Sequence, residues 1–179
     1  MQHHKTVWYT AINSSLGKIY LVATDRGLAR VRFGKNIDKP LVLKELQVLY
    51  PTCSISESPV PFRNVIKWLK KYFAGKKVEV RASGIRFDFS SGTSFQQSIW
   101  ETLCRIPYGQ VRSYKWVAEQ IRNPNSVRAV GQANGKNPLP ILVPCHRVIN
   151  ADGSLGGYSG GGQIKKKLLK IEKGSRKEC

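Results

Sequence analysis

The first third of the chain contains three short apolar segments separated by polar, glycine-containing ones. Thr6–Ile12, Lys18–Thr24 and Leu28–Phe33 are rich in Val, Ile, Tyr and Trp, the residue types that favour β-strands. The residues between them, Asn13–Gly17 and Asp25–Gly27, have the composition of tight turns. Short strands joined by short turns predict a β-meander, a small antiparallel sheet at the start of the fold.

Two helices are predicted after this sheet. The first runs from Asp38, an N-capping residue, to Tyr50, with Pro40 in its first turn. The second, Pro61–Ala74, has an apolar stripe at helical spacing and is ended by Gly75. The stripe consists of Val65, Ile66, Leu69, Tyr72 and Phe73.

The composition changes between these helices and residue 92. Val78–Val80 is predicted as a short strand, and Ser83–Gly84 and Ser90–Gly92 as connecting segments. We place a domain boundary near residue 92. It separates an N-terminal sheet-and-helix domain, 1–92, from a C-terminal domain, 93–179.

Helix signals dominate the second half. Thr93 and Gln96 have the spacing of a capping box, which starts a helix that runs to about Arg105. A last helix is predicted over Gln163–Lys173. Its lysines at Lys165–Lys167 are typical of a solvated helix start, with Lys165 within reach of the site described below.

Between these helices the pattern predicts a helix-turn-helix. Ser113 is placed to cap a helix over Tyr114–Arg122, and Ser126 to cap one over Val127–Lys136. Asn123–Asn125 forms the tight turn between them. Because many helical hairpins have this pattern, the motif alone is a weak indication of DNA binding.

Charge strengthens that indication. The chain of 179 residues has a net charge of +19, and residues 1–92 carry 16 basic and 6 acidic side chains against 14 and 5 in residues 93–179. A basic field spread over the fold attracts polyanions, of which nucleic acid is the commonest in cells. Charge alone also leaves open a merely basic protein. With no long apolar run and no secretory signal, we expect a soluble intracellular protein.

The segment Pro138–Ile149 carries the clearest chemical signal. It is apolar, contains three prolines and places Cys145 beside His146 and Arg147. A thiol reacts as the thiolate, which a base or a nearby positive charge favours. His146 can be that base, directly or through a water, and Arg147 adds positive potential. The other cysteines show neither a CxxC pair nor zinc-ligand spacing.

The base needs a partner that fixes its tautomer. The downstream acids are Asp152, Glu172 and Glu178, of which Glu172 lies on the predicted last helix. From the Cys145–His146 dipeptide alone, a buried thiol beside a solvent-exposed histidine is an equally good interpretation.

Residues Ile141–Ile149, Ile-Leu-Val-Pro-Cys-His-Arg-Val-Ile, resemble the active-site signature of the O6-alkylguanine-DNA alkyltransferases, the methylated-DNA–protein-cysteine methyltransferases. Further motifs match in order and spacing: Ser113-Tyr114, Arg128-Ala129-Val130-Gly131, Asn137-Pro138, Tyr158-Ser159-Gly160-Gly161, and Leu168-Leu169 with Glu172. The resemblance is close over residues 93–174 and extends only in general layout to the first 90 residues. Several separate motifs in one register make it specific.

The resemblance implies an α/β (α+β) fold. Its N-terminal domain is RNase H-like, with a small antiparallel sheet and helices, and its C-terminal domain is mostly helical with a winged-helix-like helix-turn-helix. The implied function is DNA repair by direct reversal, in which the alkyl group of O6-alkylguanine in duplex DNA moves irreversibly to Cys145 after the nucleotide is flipped. Each molecule reacts once, and whether O4-alkylthymine is also accepted stays open.

The family's catalytic roles transfer to five residues. By this resemblance, Cys145 would be the alkyl acceptor, and His146 would deprotonate it through a water. Glu172 would orient the imidazole, Asn137 would hold the turn beside the nucleophile, and Tyr114 would donate toward the guanine ring.

The resemblance also implies a substrate pocket and a DNA surface. Backbone groups of Cys145 and Val148 would contact the exocyclic amine, the Ser159 N–H would contact O6, and Tyr158 would form the pocket wall. Arg128 would enter the base stack in place of the flipped nucleotide. The DNA-binding residues are Tyr114, Lys115, Asn123, Arg128, Ala129, Gly131 and Ala151. Without the family, Arg128 as a phosphate clamp and Tyr114 as a surface aromatic are the simpler interpretations.

The expected partner is double-stranded DNA carrying O6-alkylguanine, bound by a monomer for which cooperativity on DNA stays open. We expect no organic cofactor and no metal. Some family members bind zinc in the N-terminal half, which here offers only Cys53, His3 and His4. The expected localisation is cytoplasmic for a prokaryotic source and nuclear for a eukaryotic one.

Three other functions fit parts of the sequence. A lesion-binding protein of the same superfamily would lack the acceptor cysteine, which is present as Cys145. A helix-turn-helix regulator would show sequence preference and no alkyl uptake. A cysteine protease or acyltransferase normally has its histidine remote in sequence and gives no reason for the charge of +19.

Overall fold

The computed structural model describes residues 6–34 and 36–174. It contains a four-stranded sheet, a two-stranded sheet and six α-helices in these residues. In chain order the elements are β1 (Thr6–Ser14), β2 (Gly17–Thr24), β3 (Gly27–Phe33), α1 (Lys39–Leu49), β4 (Ser54–Glu57), α2 (Arg63–Phe73), α3 (Ser94–Leu103), β5 (Arg112–Ser113), α4 (Tyr114–Gln120), α5 (Val127–Gly135), β6 (Val148–Ile149) and α6 (Gly162–Gly174).

The four-stranded sheet has the order β3-β2-β1-β4. The predicted meander is present, because β1 pairs antiparallel with β2 and β2 with β3. The edge strand β4 pairs parallel with β1 and was not predicted. Ile55 is its only apolar residue, so its sequence, Ser-Ile-Ser-Glu, lacks the composition of a strand.

The two faces of the sheet bury different cores. One face packs on α1 around Val7, Tyr9, Tyr20, Val22, Val42 and Leu46. The Asp38 side chain accepts from the Leu41 amide at the start of α1, as the sequence predicts. The other face joins a large apolar cluster that includes residues of α2, α3, α5 and α6. The sheet of the first half and the helices of the second therefore share a core.

One local prediction in the first half is wrong, and another is incomplete. Val78–Val80 is not a strand: Glu79 is extended, but no strand of the described chain pairs with it, and a 3₁₀ turn over Val80–Ala82 follows. The buried side of α2 also includes Trp68, which the predicted stripe left out.

The helices of the second half begin largely where predicted. Thr93 and Gln96 form the capping box of α3, and Ser113 caps α4 by accepting from the Trp116 amide. Ser126 does not cap α5. Its backbone lies in a turn conformation rather than an extended one, and its hydroxyl donates to the Asn123 carbonyl at 2.6 Å.

No helix in the described residues is both long and apolar enough to cross a membrane. Nor do residues 6–34 and 36–174 contain a group of three or more His, Cys, Asp or Glu residues suited to a metal ion. His3 and His4 lie outside the described part of the chain, so the expected lack of zinc stays a prediction.

Candidate active site

Cys145 lies in a tightly held turn between α5 and β6. It begins the 3₁₀ turn Cys145–Arg147 and is fully buried. Asn137 fastens the preceding loop at both ends, because its Nδ2 donates to the Val143 carbonyl and its Oδ1 accepts from the Leu139 amide, each at 2.9 Å. Ile141 in this loop has φ +79°, a conformation that β-branched residues rarely adopt. The surrounding hydrogen bonds hold this strained backbone in place.

His146 is fully buried and paired. Its Nε2 lies 2.7 Å from Glu172 Oε1, and Nδ1 has no hydrogen-bond partner among the described residues. A carboxylate beside Nε2 favours the tautomer with the proton on Nε2, which leaves a lone pair on Nδ1. The interpretation of His146 as a solvent-exposed neighbour of a structural cysteine is therefore wrong.

Glu172 is the centre of the buried network. Arg147 donates from Nε to Oε2 at 2.9 Å, and the Gly109 amide donates to the same oxygen at 2.9 Å. Burial raises the pKa of the Glu172 carboxyl, but the hydrogen bond and charge of His146 and the charge of Arg147 outweigh it and lower the pKa to about 2. The carboxylate is therefore ionised at neutral pH. Of the three acids considered from the sequence, Asp152 is exposed and Glu178 lies outside the described residues.

The thiol and the imidazole are both neutral at rest. Burial raises the pKa of Cys145 to about 11, although Asn137 and the charge of Lys165 act in the opposite direction. Burial also lowers the pKa of His146, despite the opposing effect of its hydrogen bond to Glu172. A protonated thiol is a poor nucleophile, so the site needs a neutral base such as His146 to generate the thiolate.

A cavity of about 420 Å³ lies between the helix-turn-helix and the loop before α6. It is lined by Tyr114, Val127, Gly131, Asn134, Gly135, Asn150, Gly157, Tyr158 and Ser159. A Cβ atom on Gly156 would lie 3.2 Å from the Tyr114 hydroxyl, so glycine there lets the loop pass close to the ring. Burial, followed by the charge of Cys145, raises the pKa of Tyr158 well above its usual value. The size and lining suit a planar base.

The predicted DNA-binding residues lie mainly on the helix-turn-helix surface. Lys115 on α4, Asn123 in the turn and Arg128 on α5 are exposed, while Ala129 and Gly131 are half-buried on α5. Ala151 is exposed in the turn after β6.

The carbonyl of Val148, one of the predicted substrate contacts, is already engaged. Lys165 on α6 is fully buried, and its Nζ donates to this carbonyl at 2.6 Å as well as to those of Leu155 and Gly157. A carbonyl oxygen has two lone pairs, so Val148 keeps the capacity for a second donor. Lys165 thus ties the loop that lines the cavity to the strand after Cys145.

Sequence reasoning missed Tyr72 as a site residue. It was assigned to the apolar stripe of α2, yet its hydroxyl donates to Glu172 Oε1 at 2.8 Å and lies 3.4 Å from His146 Nε2. The only signal in the sequence is the hydroxyl group of Tyr72, a polar group on the apolar face of α2, which needs a hydrogen-bond partner when buried. Its partners are 74 and 100 residues away, and no local pattern reports such contacts.

Two family models match the chain. Residues 7–85 match the ribonuclease-like domain of 6-O-methylguanine DNA methyltransferase, and residues 94–174 match the DNA binding domain of the same family. Together with the buried cysteine, histidine and glutamate, these two domains define a DNA alkyltransferase. The predicted RNase H-like and helical DNA-binding folds are thereby confirmed.

Individual relatives and solved structures are similar to the chain over nearly its full length. The methylated-DNA–protein-cysteine methyltransferase of Methanosarcina barkeri is 40% identical over 169 residues, covering 93% of this chain and 97% of that protein. A crystal structure of Mycobacterium tuberculosis O6-methylguanine methyltransferase is similar with a TM-score of 0.78 and 38% identity over 94% of both chains. A structure of the Mycobacterium tuberculosis protein in complex with DNA gives the same values. The chain belongs to the methylated-DNA–protein-cysteine methyltransferase family of DNA repair proteins.

Proposed function

We propose that this protein repairs O6-alkylguanine in duplex DNA by transferring the alkyl group to Sγ of Cys145. The pairing of Glu172 with His146 carries this assignment. Because Glu172 occupies Nε2, the neutral imidazole of His146 keeps an unpaired Nδ1, and His146 directly follows Cys145 in the chain. This geometry supplies a base to a buried thiol that is otherwise protonated.

The reaction balances without any cofactor. The thiol proton passes to His146 Nδ1, directly or through a water, and the thiolate attacks the alkyl carbon. A carbon–sulfur bond forms as the carbon–O6 bond breaks, and guanine leaves with the bonding electron pair and takes up a proton. The product thioether is not open to thiol–disulfide exchange, so each chain reacts once.

Tyr114 is the proposed donor to the leaving guanine. Its ring lines the cavity, and burial followed by Cys145 raises the pKa of its hydroxyl, which keeps it protonated and able to donate. A donor aimed at the purine edge stabilises the negative charge that develops there. The Ser159 amide, in the exposed part of the cavity lining, is proposed to contact O6.

Nucleotide flipping follows from the burial of the acceptor. Cys145 has no exposed surface, so a base within the duplex stack cannot reach it. We propose that the target rotates out of the stack toward the cavity, and extruding it costs a few kcal/mol of unstacking and unpairing. Arg128 is exposed on α5, on the proposed DNA surface. We assign it to fill the vacated position in the stack.

Replacing Arg128 by alanine is expected to slow repair of methylated duplex by about 10- to 100-fold, because the flipped state loses its support. Reaction with free O6-benzylguanine, which needs no flipping, should keep its rate. Single-turnover rates on both substrates measure the difference. Arg105→Ala, which removes an exposed arginine after α3, is the matched control. Equal losses on both substrates would remove the stack-filling role, and a wild-type protein that leaves the methylated duplex unchanged would contradict the function.

The relative in complex with DNA supports DNA as the partner, and we propose that a monomer binds duplex DNA that carries the alkylated base. The proposed domain boundary near residue 92 lies between the two family matches. A cytoplasmic location in a prokaryote, or a nuclear one in a eukaryote, gives access to this substrate.

A further inference from the structure

Helix α2 brings Tyr72 from the N-terminal half into the network around Cys145. The side chain is fully buried. Its hydroxyl donates to Glu172 Oε1 at 2.8 Å and lies 3.4 Å from His146 Nε2. Its ring stacks on Trp68 at a centroid distance of 5.3 Å and meets Tyr108 edge-on at 6.0 Å. These aromatic contacts fix where the hydroxyl lies.

We propose that Tyr72 is a positioning residue for His146: its hydroxyl binds Glu172 and faces Nε2, and so holds the imidazole in the tautomer that frees Nδ1 for the thiol proton. The inference rests on the proposed function, in which His146 is the base. It makes the ribonuclease-like half of the protein a contributor to the reaction and more than a scaffold.

The tautomer argument follows from the hydrogen bonds. Since the tyrosine proton is committed to Glu172, the tyrosine oxygen can only accept from Nε2. Nε2 then faces two acceptors, the carboxylate and the phenol oxygen, and must carry the proton itself. Burial followed by the charge of Glu172 raises the pKa of Tyr72 well above its usual value, so the hydroxyl stays a neutral donor throughout the working range.

The Tyr72 hydroxyl also lowers the basicity of His146. Glu172 Oε1 accepts from Tyr72 and from His146, and Arg147 donates to it from Nε at 3.2 Å. Every donor draws negative charge from this oxygen and weakens its hold on a protonated imidazole. The tyrosine oxygen lies 3.4 Å from Nε2 and accepts weakly, whereas its donation to Oε1 at 2.8 Å is short. Loss of the donor therefore outweighs loss of the acceptor, and Glu172 would stabilise the imidazolium more strongly without the tyrosine hydroxyl. A base that is already protonated cannot accept the thiol proton.

Three charged groups besides the Tyr72 hydroxyl act on the pKa of His146. They are Glu172 and Lys165 on α6 and Arg147 on the same turn, and the two cations lower the pKa of His146. A change at Tyr72 leaves each of these groups in place. A shift in the titration of His146 therefore reports the missing hydroxyl.

The test is the titration of His146 by ¹⁵N NMR of the imidazole in the free protein, with no DNA present. The chain has only three histidines, and the other two are His3 and His4. We expect Tyr72→Phe to raise the pKa of His146 by about half a unit to one unit. The acid limb of the alkylation rate should move in the same direction. The matched control is Tyr108→Phe, which removes a buried hydroxyl that donates to the Ile171 carbonyl at 3.5 Å.

A second variant gives the opposite sign. Fluorotyrosine at position 72 keeps the ring and strengthens the donor, so the pKa of His146 should fall. This variant also serves if Tyr72→Phe does not fold. An unchanged titration in the variants that fold would overturn the inference, as would an equal shift in Tyr108→Phe. The titration needs no substrate, so it tests the inference separately from the proposed function. If the variants shift the pKa of His146 as expected but the wild type takes up no methyl group, the proposed function is contradicted and the role of Tyr72 in positioning His146 is not.

Discussion

Replacing Cys145 by alanine is expected to abolish methyl uptake from a duplex carrying O6-methylguanine while leaving binding to that duplex intact. The thiol is the proposed acceptor of the methyl group, and it is fully buried, so its loss does not alter the DNA-facing surface. Transfer of a labelled methyl group and a fluorescence binding assay on the same duplex measure the two effects.

Cys104→Ala is the control for this experiment. Burial raises the pKa of Cys104 to about 12, which leaves its thiol unreactive at neutral pH. This variant should take up methyl groups as the wild type does. Stoichiometric uptake that persists in Cys145→Ala would mean that another residue is the acceptor.

Glu172→Gln is expected to affect both rate and stability. Without the carboxylate, Arg147 is a buried cation that has lost its counter-ion, and breaking such a pair costs about 3–5 kcal/mol. His146 also loses the partner that fixes it, and the methyl-transfer rate should fall by about 100-fold. Urea unfolding and single-turnover kinetics give the two values. Glu101→Gln, a change at an exposed acid on α3, should resemble the wild type.

The stability loss should depend on pH with a definite sign. The pKa of Glu172 falls from an ordinary 4.5 to about 2 in the folded protein. A lowered carboxyl pKa stabilises the fold above pH 4.5, and this contribution is lost as the pH drops toward 2. The difference in stability between wild type and Glu172→Gln should therefore shrink over that interval. A variant that reacts at the wild-type rate would show that Glu172 has no part in the reaction.

The elements predicted correctly have strong local signals. The capping box at Thr93 and Gln96 and the Asp38 cap each depend on residues within one helical turn, and both are present. The strand β4 was missed because its pairing with β1 compensates for a polar sequence. Val78–Val80 has strand-forming residues but no partner strand in the described chain. Strand formation depends on a neighbour, which the local sequence does not specify.

The residues of the candidate site that are neighbours in the sequence could be predicted more directly than those that only the fold brings together. Cys145 and His146 are adjacent, whereas Glu172 was singled out from the residues because it lies on a helix and through the family motif. The buried states of Lys165 and Arg147 were not predictable, because each charge is satisfied by distant groups. Lys165 occupies the inner face of α6 while Lys166 and Lys167 are exposed, so a uniform run of lysines conceals one structural cation.

The most direct test of the central claim is intact-protein mass spectrometry after incubation with a duplex that carries one O6-methylguanine. We predict a single gain of about 14 Da per chain, mapped to Cys145 by peptide analysis, with no further gain when the duplex is in excess. An unchanged mass with the duplex still bound would contradict the account, because the protein would then recognise the lesion without repairing it.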